Sequence, residues 1–429
     1  MELRAGYKQT EAGVIPEEWD FSALGELISE MRGGAPLSPS DFKDSGVKVL
    51  PKGGVGRTGW LQVQDSEMQF CSPQYARAHR RNQVDETFTI VVLRDLVPSG
   101  PSIGLMVKIR EPETYVLAQG VYGFKTSDRV DPGYLVQLSN TNWYRKLANS
   151  IMVGSTQVHI TNTAFKRARV PLPTKTEQQA IAAALRDADA LIESLDQLIV
   201  KKRQIKQGAM QELLIGKRRL PGFTGEWEVK RLGDVGNCLR GVTYNGESDL
   251  WPHDTTHTKR LLRSNNVQNS AVVIDDIQFV NSDRVKSKQL LKPHDVLICM
   301  ANGSKALVGK AGFFNVTDGH EYTFGAFMGC FRTESTVSNP AFVFYLFQTA
   351  RYRDYINNLL AGSSINNLNP GSIESLEFPL PQMTEQTAIA TVLSDMDTEL
   401  SALESRLAKA HQIKQGMMQE LLTGRIRLL

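Results

Sequence analysis

Polar and basic side chains on glycine-punctuated loops are the groups in this chain with the spacing to do chemistry, and that chemistry is recognition. The loop GSTQVHITNT (154–163) sets Ser155, Thr156 and Gln157 behind a glycine, and GSSINNLNP (362–370) does the same with Ser363, Ser364 and Asn366. Small hydrogen-bonding residues in such a loop can approach a phosphate backbone or a base edge closely. The competing reading is an ordinary helix C-cap followed by a turn. In YARAHRRN (75–82), Arg77, Arg80 and Arg81 gather beside Tyr75 and His79, a composition suited to phosphate and guanine, or to plain surface solvation. KGGVGRTG (52–59) adds Lys52 and Arg57 on a flexible basic loop. RLLRSNN (260–266) and ANGSKALVGK (301–310) contribute Arg263, Asn265, Asn302, Ser304 and Lys305. Asparagine pairs bidentately with adenine edges and arginine with guanine edges.

Reaction chemistry is not indicated. GSKALVGKA has five residues between its glycines where a phosphate loop has four, and Ala311 stands where Ser or Thr would bind magnesium. NPAF (339–342) and NPGS (369–372) begin like the Asn-Pro-Pro-aromatic motif of amino-methyltransferases but lack its second proline. The histidines form no HExxH, and HDTTH (253–257) has the flanks of a loop, so no metal site is expected. Four separated cysteines without a CxxC pair indicate neither a disulfide framework nor zinc. No signal peptide or long apolar run is present, which favours a cytoplasmic protein with no membrane partner. The formal charge is only +3, so any polyanion would be met by local charge. One basic run, Lys201 to Arg219, holds seven Lys/Arg against Glu212, and it reads equally as a solvated helix face.

The elements that must position these groups are duplicated. Residues 171–220 open on PLPTKTEQQAIAAAL and close on IKQGAMQELLIGKRRL; residues 379–428 open on PLPQMTEQTAIATVL and close on IKQGMMQELLTGRIRL. The offset is constant: 385 − 177 is 208, and 415 − 207 is 208. It recurs outside the window, where Trp19, Gly25 and Arg32 match Trp227, Gly233 and Arg240. Two whole units therefore lie head to tail. The duplication is also circular, because the terminal TGRIRLL stops where IGKRRLPGFTGEW opens the second unit and EAGVIPEEW supplies the continuation. The chain termini are expected close together in space.

Each repeated window predicts a long helix. Thr176 and Thr384 are the expected N-caps, each followed by a first-turn glutamate that suits the helix dipole, and Gln179 stands at the capping-box position of the first. Gly216 and Gly424 are expected to end the helices. Apolar residues fall at Ile181, Leu185, Ala188, Ile192, Leu195 and Ile199, and again at Ile389, Leu393, Met396, Leu400, Leu403 and Leu407. This 4-3 spacing is a coiled-coil seam. Two nearly identical stripes have each other as partners, and a twofold relation makes them antiparallel. The segments 20–170 and 228–378 read as mixed α/β. Strands are expected at 87–93 and 295–300, and helices at 134–151 and 342–360. The fold class is thus α+β: two mixed α/β domains related by pseudo-twofold symmetry, joined by two long helices in an antiparallel coiled coil. The expected divisions are 1–172, a helix 173–220, a second domain 221–380 and a helix 381–429.

The chain resembles the specificity subunits of type I restriction–modification systems. The residues that carry the resemblance are YKQTEAGVIPEEW (7–19), the paired P-x-x-T-E-Q-x-A-I-A windows, the paired K-Q-G-x-M-Q-E-L-L-x-G endings, and the alternation of variable and constant segments. The resemblance implies two target-recognition domains, each reading one half of an asymmetric bipartite site in double-stranded DNA. It implies that the helical pair sets the gap and docks two methyltransferase subunits, which restriction/translocase subunits join. It implies no catalytic residue or cofactor in this chain, with S-adenosylmethionine on the methyltransferase and ATP and magnesium on the motor. Two other classes remain open at this point: a coiled-coil assembly scaffold that reads no sequence, and a self-contained DNA methyltransferase or nuclease.

Overall fold

The computed structural model describes residues 5–361 and 366–428. They divide into two compact units, one made of the residues up to 197 with those from 405 onward, the other of residues 198–404.

In the first unit, a four-stranded antiparallel sheet runs in the order Met106–Lys108, Thr89–Val92, Val121–Thr126, Ile28–Gly33. The run TIVV (89–92) is buried at all four positions, which is why its apolar residues are continuous rather than alternating. A second sheet follows the order Phe42–Lys43, Gln69–Cys71, Val47–Leu50, Tyr115–Leu117, Gln83–Val84, with Val47–Leu50 and Tyr115–Leu117 parallel. Asp20–Ala23 pairs with Arg169–Leu172 just ahead of the long helix.

The second unit repeats this plan where its sequence has diverged. Gly236–Arg240, Met328–Thr333, Val296–Cys299 and Ala311–Phe313 are neighbours in the same order, and Ala271–Val272 and Val267–Gln268 extend that sheet. Leu250–Trp251, Gln278–Asn281, Thr258–Leu262 and Tyr322–Phe324 form the other, again with one parallel pair. Even the register repeats. Arg169 faces Ala23 and Glu377 faces Arg231, each residue moved by 208 (377 − 169, 231 − 23).

The expected helix over 134–151 is two helices, Pro132–Ser139 and Asn142–Ser150. Thr141 makes the break: its Oγ1 accepts the Tyr144 amide at 3.1 Å and so caps a new helix. The second unit breaks likewise between Pro340–Leu346 and Ala350–Ala361, where Thr349 Oγ1 accepts the Tyr352 amide at 3.2 Å.

Both repeated windows are helices of 39 residues, Lys175–Leu213 and Met383–Leu421, about 58 Å each at 1.5 Å per residue. Within each unit their segments pack antiparallel. In the second, Lys202 pairs with Glu399 at 2.6 Å and Lys206 with Asp397 at 2.5 Å, while Met210 and Leu213 share a core with Ile389 and Leu393. In the first, Asp189 pairs with Lys414, and Ile181 and Leu185 share a core with Leu421 and Leu422. Along the seam Ile181, Leu185, Ile192, Leu195, Ile199, Ile389, Leu393 and Leu400 are buried; Ala188, Met396, Leu403 and Leu407 are half-buried. Gly216 and Gly424 are left-handed, at φ +72° and +70°.

The caps differ from expectation. The first helix starts at Lys175, one residue before Thr176, and its cap is Thr174, whose Oγ1 accepts the Glu177 amide at 3.4 Å. Thr176 and Gln179 are exposed and no capping box forms. Thr384 lies inside the second helix, where Gln382 offers only its backbone carbonyl to Glu385 and Gln386. The reason is that the glutamate has other work. Glu177 is buried and accepts the Trp19 indole N–H at 3.0 Å and a two-pronged contact from Arg427, one prong at 2.7 Å. Arg427 stacks on the Trp19 ring, 5.6 Å from its centre. Glu385, Trp227 and Arg219 form the same clasp in the second unit, with the indole bond again 3.0 Å. The adjacent glutamines are buried too: Gln178 ties Pro173 O to the Asp131 amide, and Gln386 ties Pro381 O to the Asn339 amide.

The first clasp also joins the two ends of the chain. Tyr7 donates to the Gly424 carbonyl at 3.0 Å, and Arg427 pairs with Glu18.

Candidate nucleic-acid interface

In each unit the inner strands of the main sheet end at one recurring feature. Past Thr89–Val92, Arg94 and Asp95 pair with His159 and Val158, which follow the 154–157 loop. Past Val296–Cys299, Ala301 makes a single bridge with Asn367. Arg94 and Ala301 are equivalent, since Val121 faces Val92 and Met328 faces Cys299 at a shared offset of 207 (328 − 121, 299 − 92).

In the first unit this feature gathers polar groups. Gly154 takes φ +110°, and a Cβ there would meet the Gln157 carbonyl oxygen at 2.1 Å, so only glycine fits the turn. Ser155, Thr156 and Gln157 are exposed beyond it. Arg94 donates to Gln157 Oε1 at 2.6 Å, so a half-buried guanidinium is held against the loop. In the second unit, Asn302 Oδ1 accepts the Ser304 amide at 3.0 Å and Asn366 Nδ2 donates to the Gly303 carbonyl at 3.2 Å. Lys305 is exposed and reaches the Leu360 carbonyl at 3.4 Å. Loops 301–305 and 366–368 are therefore braced together. Ser363 and Ser364 lie outside the described residues.

The other candidates sit elsewhere. Arg77, Arg80 and Arg81 are exposed on and after the helix Pro73–Ala78, where Tyr75 and His79 stack with ring centres 4.1 Å apart. Lys52 is half-buried and Arg57 exposed on their loop. Arg263 and Asn265 both bind the Asp276 carboxylate, each at 3.0 Å. Two groups at the feature carry no mark in a single strand of sequence. Arg94 looks like an ordinary strand residue, and Phe327 like an ordinary apolar one. Aligning the two units at offset 207 would have set Arg94 against Ala301 and Gly120 against Phe327.

Among the described residues the cysteines are not set up for covalent chemistry. Burial pushes the Cys238 thiol up to about 12 and also raises Cys71, Cys299 and Cys330, the opposite of a reactive thiolate. Among the described residues no His, Cys, Asp or Glu cluster could hold a metal ion. Asp254 of HDTTH is paired with Arg260 at 2.9 Å. The GSKALVGK stretch makes only a three-residue turn, Lys305–Leu307. No helix among the described residues is long and apolar enough to cross a membrane.

Known proteins share this arrangement. The model of the type I restriction modification DNA specificity domain matches residues 16–201 and again 224–414. The StySPI specificity subunit of Salmonella potsdam, a type I restriction enzyme component, is 32% identical over 200 residues, 47% of this chain and 42% of that protein. The match thus spans less than half the length of that relative. The putative MjaX specificity subunit of Methanocaldococcus jannaschii is 24% identical over 98% of this chain and 97% of its own. A type I S subunit from M. genitalium has the same fold, with a TM-score of 0.61 over 98% of both chains at 14% identity. With the domain matched twice over most of its length, this chain belongs to the type I restriction–modification DNA specificity family.

Proposed function

We propose that this chain is the non-catalytic DNA-reading subunit of a type I restriction–modification complex, with each unit reading one half of an asymmetric bipartite site. One observation carries the reading: the same scaffold is built twice, while the groups at equivalent places on it differ, as Arg94 differs from Ala301. Two readers with one frame and different contacts suit a bipartite, non-palindromic target. Phosphate contacts from the exposed Arg77, Arg80, Arg81 and Arg57 and the half-buried Lys52 would supply most of the affinity. Base-edge contacts from the 154–157 and 301–305 loops would supply specificity.

The helical pair would fix the gap, with half-sites on one DNA face about one turn apart, roughly 34–36 Å centre to centre. It would also dock two methyltransferase subunits, joined by restriction/translocase subunits in the cytoplasm. S-adenosylmethionine, ATP and magnesium would bind to those partners. Methylome sequencing of a host carrying a variant with both helices lengthened tests this reading. Unchanged half-sites at an altered gap are expected; altered half-sites with the old gap would refute it.

A further inference from the structure

The recurring bridge carries one large side chain in each unit, on opposite strands. In the first, Arg94 lies over Gly120, whose φ is +89°; a Cβ on Gly120 would stand 2.9 Å from the Arg94 Cβ. In the second, the glycine's place is taken by Phe327 and the arginine's by Ala301. Phe327, unlike Gly120, does not take a positive φ, but the backbone bond across the turn is kept. Gly120 O accepts the Leu93 amide at 3.0 Å, and Phe327 O accepts the Met300 amide at 2.9 Å.

Phe327 is 72% exposed, more than any other large apolar side chain among the described residues. Its backbone is nonetheless fixed. The carbonyl accepts a second amide, Ala301 at 3.0 Å, and the turn closes from Met328 N to Gly325 O at 2.8 Å. An aromatic ring is thus held in water on a rigid turn, beside the braced Asn302–Asn366 loops and the exposed Lys305. Packing within its own unit does not account for it. Apolar side chains in such positions touch thymine methyls or base faces in nucleic-acid complexes, where cations and amides on either side hold the backbone.

We infer that Phe327 is a base-contacting residue of the second unit, making an apolar contact in one half-site at the place where Arg94 makes a polar one in the other. The inference rests on the DNA-reading assignment and adds to it which side chain distinguishes the two readers. Because the phenyl ring is exposed, Phe327→Ala should fold as the parent does, with the same thermal midpoint. Phe327→Leu keeps an apolar group on the turn and serves as the conservative variant.

The test uses the full chain in complex with its methyltransferase subunits, selecting from a duplex pool randomised over the methylome-mapped site. F327A should keep one half-site intact and lose preference at one or two neighbouring positions of the other. Affinity for the parental site should fall on the order of tenfold, with F327L falling less. Identical selection by F327A and the parent would overturn the contact, as would a loss spread evenly over both half-sites. Failure of the parent complex to select any site is a separate outcome, which removes the DNA-reading assignment and this contact together.

Discussion

The two clasps use the same three side chains and reach them by different routes. In the second unit, Arg219 and Trp227 lie eight residues apart (227 − 219), so one short segment brings both to Glu385. In the first, Arg427 and Trp19 lie 408 residues apart (427 − 19), and only packing brings them to Glu177. The surroundings have adjusted accordingly. Trp19 is 0% exposed whereas Trp227 is half-buried. Gly424 is pressed so closely that a Cβ would lie 2.4 Å from Pro16, while at Gly216 the nearest atoms, on the Trp227 ring, are 3.3 Å away. Where chain connectivity does not hold the clasp, burial does.

The largest break in this comparison should come from the tryptophans. Trp19→Ala removes a fully buried indole, at a cost of about 3–5 kcal/mol. It should also strip hydrogen-exchange protection from peptides 7–19 and 417–428. Trp227→Ala should cost clearly less and leave those peptides protected. Equal losses in the two variants would mean that covalent linkage does not matter to the clasp.

The arginines come next. Arg427→Ala leaves a buried carboxylate with the indole as its one remaining side-chain donor among the described residues, a loss of about 2 kcal/mol. It also frees the tail from the N-terminal segment, because the Glu18 pair goes with it. Arg219→Ala should have a smaller effect, since Arg219 and Trp227 stay tethered by the intervening chain. Limited proteolysis reads the difference: new cuts near residues 7–19 are expected for R427A, with none at the matching place in R219A.

A third, smaller effect tests the polar ties inside the helical pair. Asp189 accepts Gln137 at 2.9 Å and pairs with Lys414; the equivalent Asp397 accepts Tyr345 at 2.8 Å and pairs with Lys206. Asp189 and Lys414 are both well covered, so Asp189→Asn should cost about 1–2 kcal/mol in chemical denaturation. Asp397 is more open, and D397N should cost less.

How much of this was legible in sequence depended on whether the signal was local or repeated. The seam, the glycine ends and the meeting of the termini were readable because copies of one segment stand in the chain twice. The capping residue was misplaced for the opposite reason. A glutamate after a threonine looks the same whether it serves the helix dipole or an arginine 250 residues away, as Glu177 does. Sheet order was not legible at all, since pairings such as Ile28–Gly33 with Val121–Thr126 depend on partners distant in sequence. At the recurring bridge, loop composition singled out Gln157 and Asn302 as candidates, but Arg94 and Phe327 stand out only when one unit is laid on the other.

The smallest effect sharpens what the ion pairs between the helices contribute. Among the described residues, three such pairs lie in the second unit (Lys202–Glu399, Arg203–Glu404, Lys206–Asp397) and one in the first (Asp189–Lys414). Counting alone would make the second unit's helix pair the firmer. Glu399, Arg203 and Glu404 are substantially exposed, however, and pairs of this kind are screened and contribute about 0–1 kcal/mol each. Replacing Glu399 and Glu404 together by glutamine should therefore lower stability by less than D189N alone, and the small loss should vanish in high salt. A double variant as destabilised as D189N, with the deficit persisting at 1 M salt (Debye length about 3 Å), would show that surface charge rather than covered polar contacts holds these helices together.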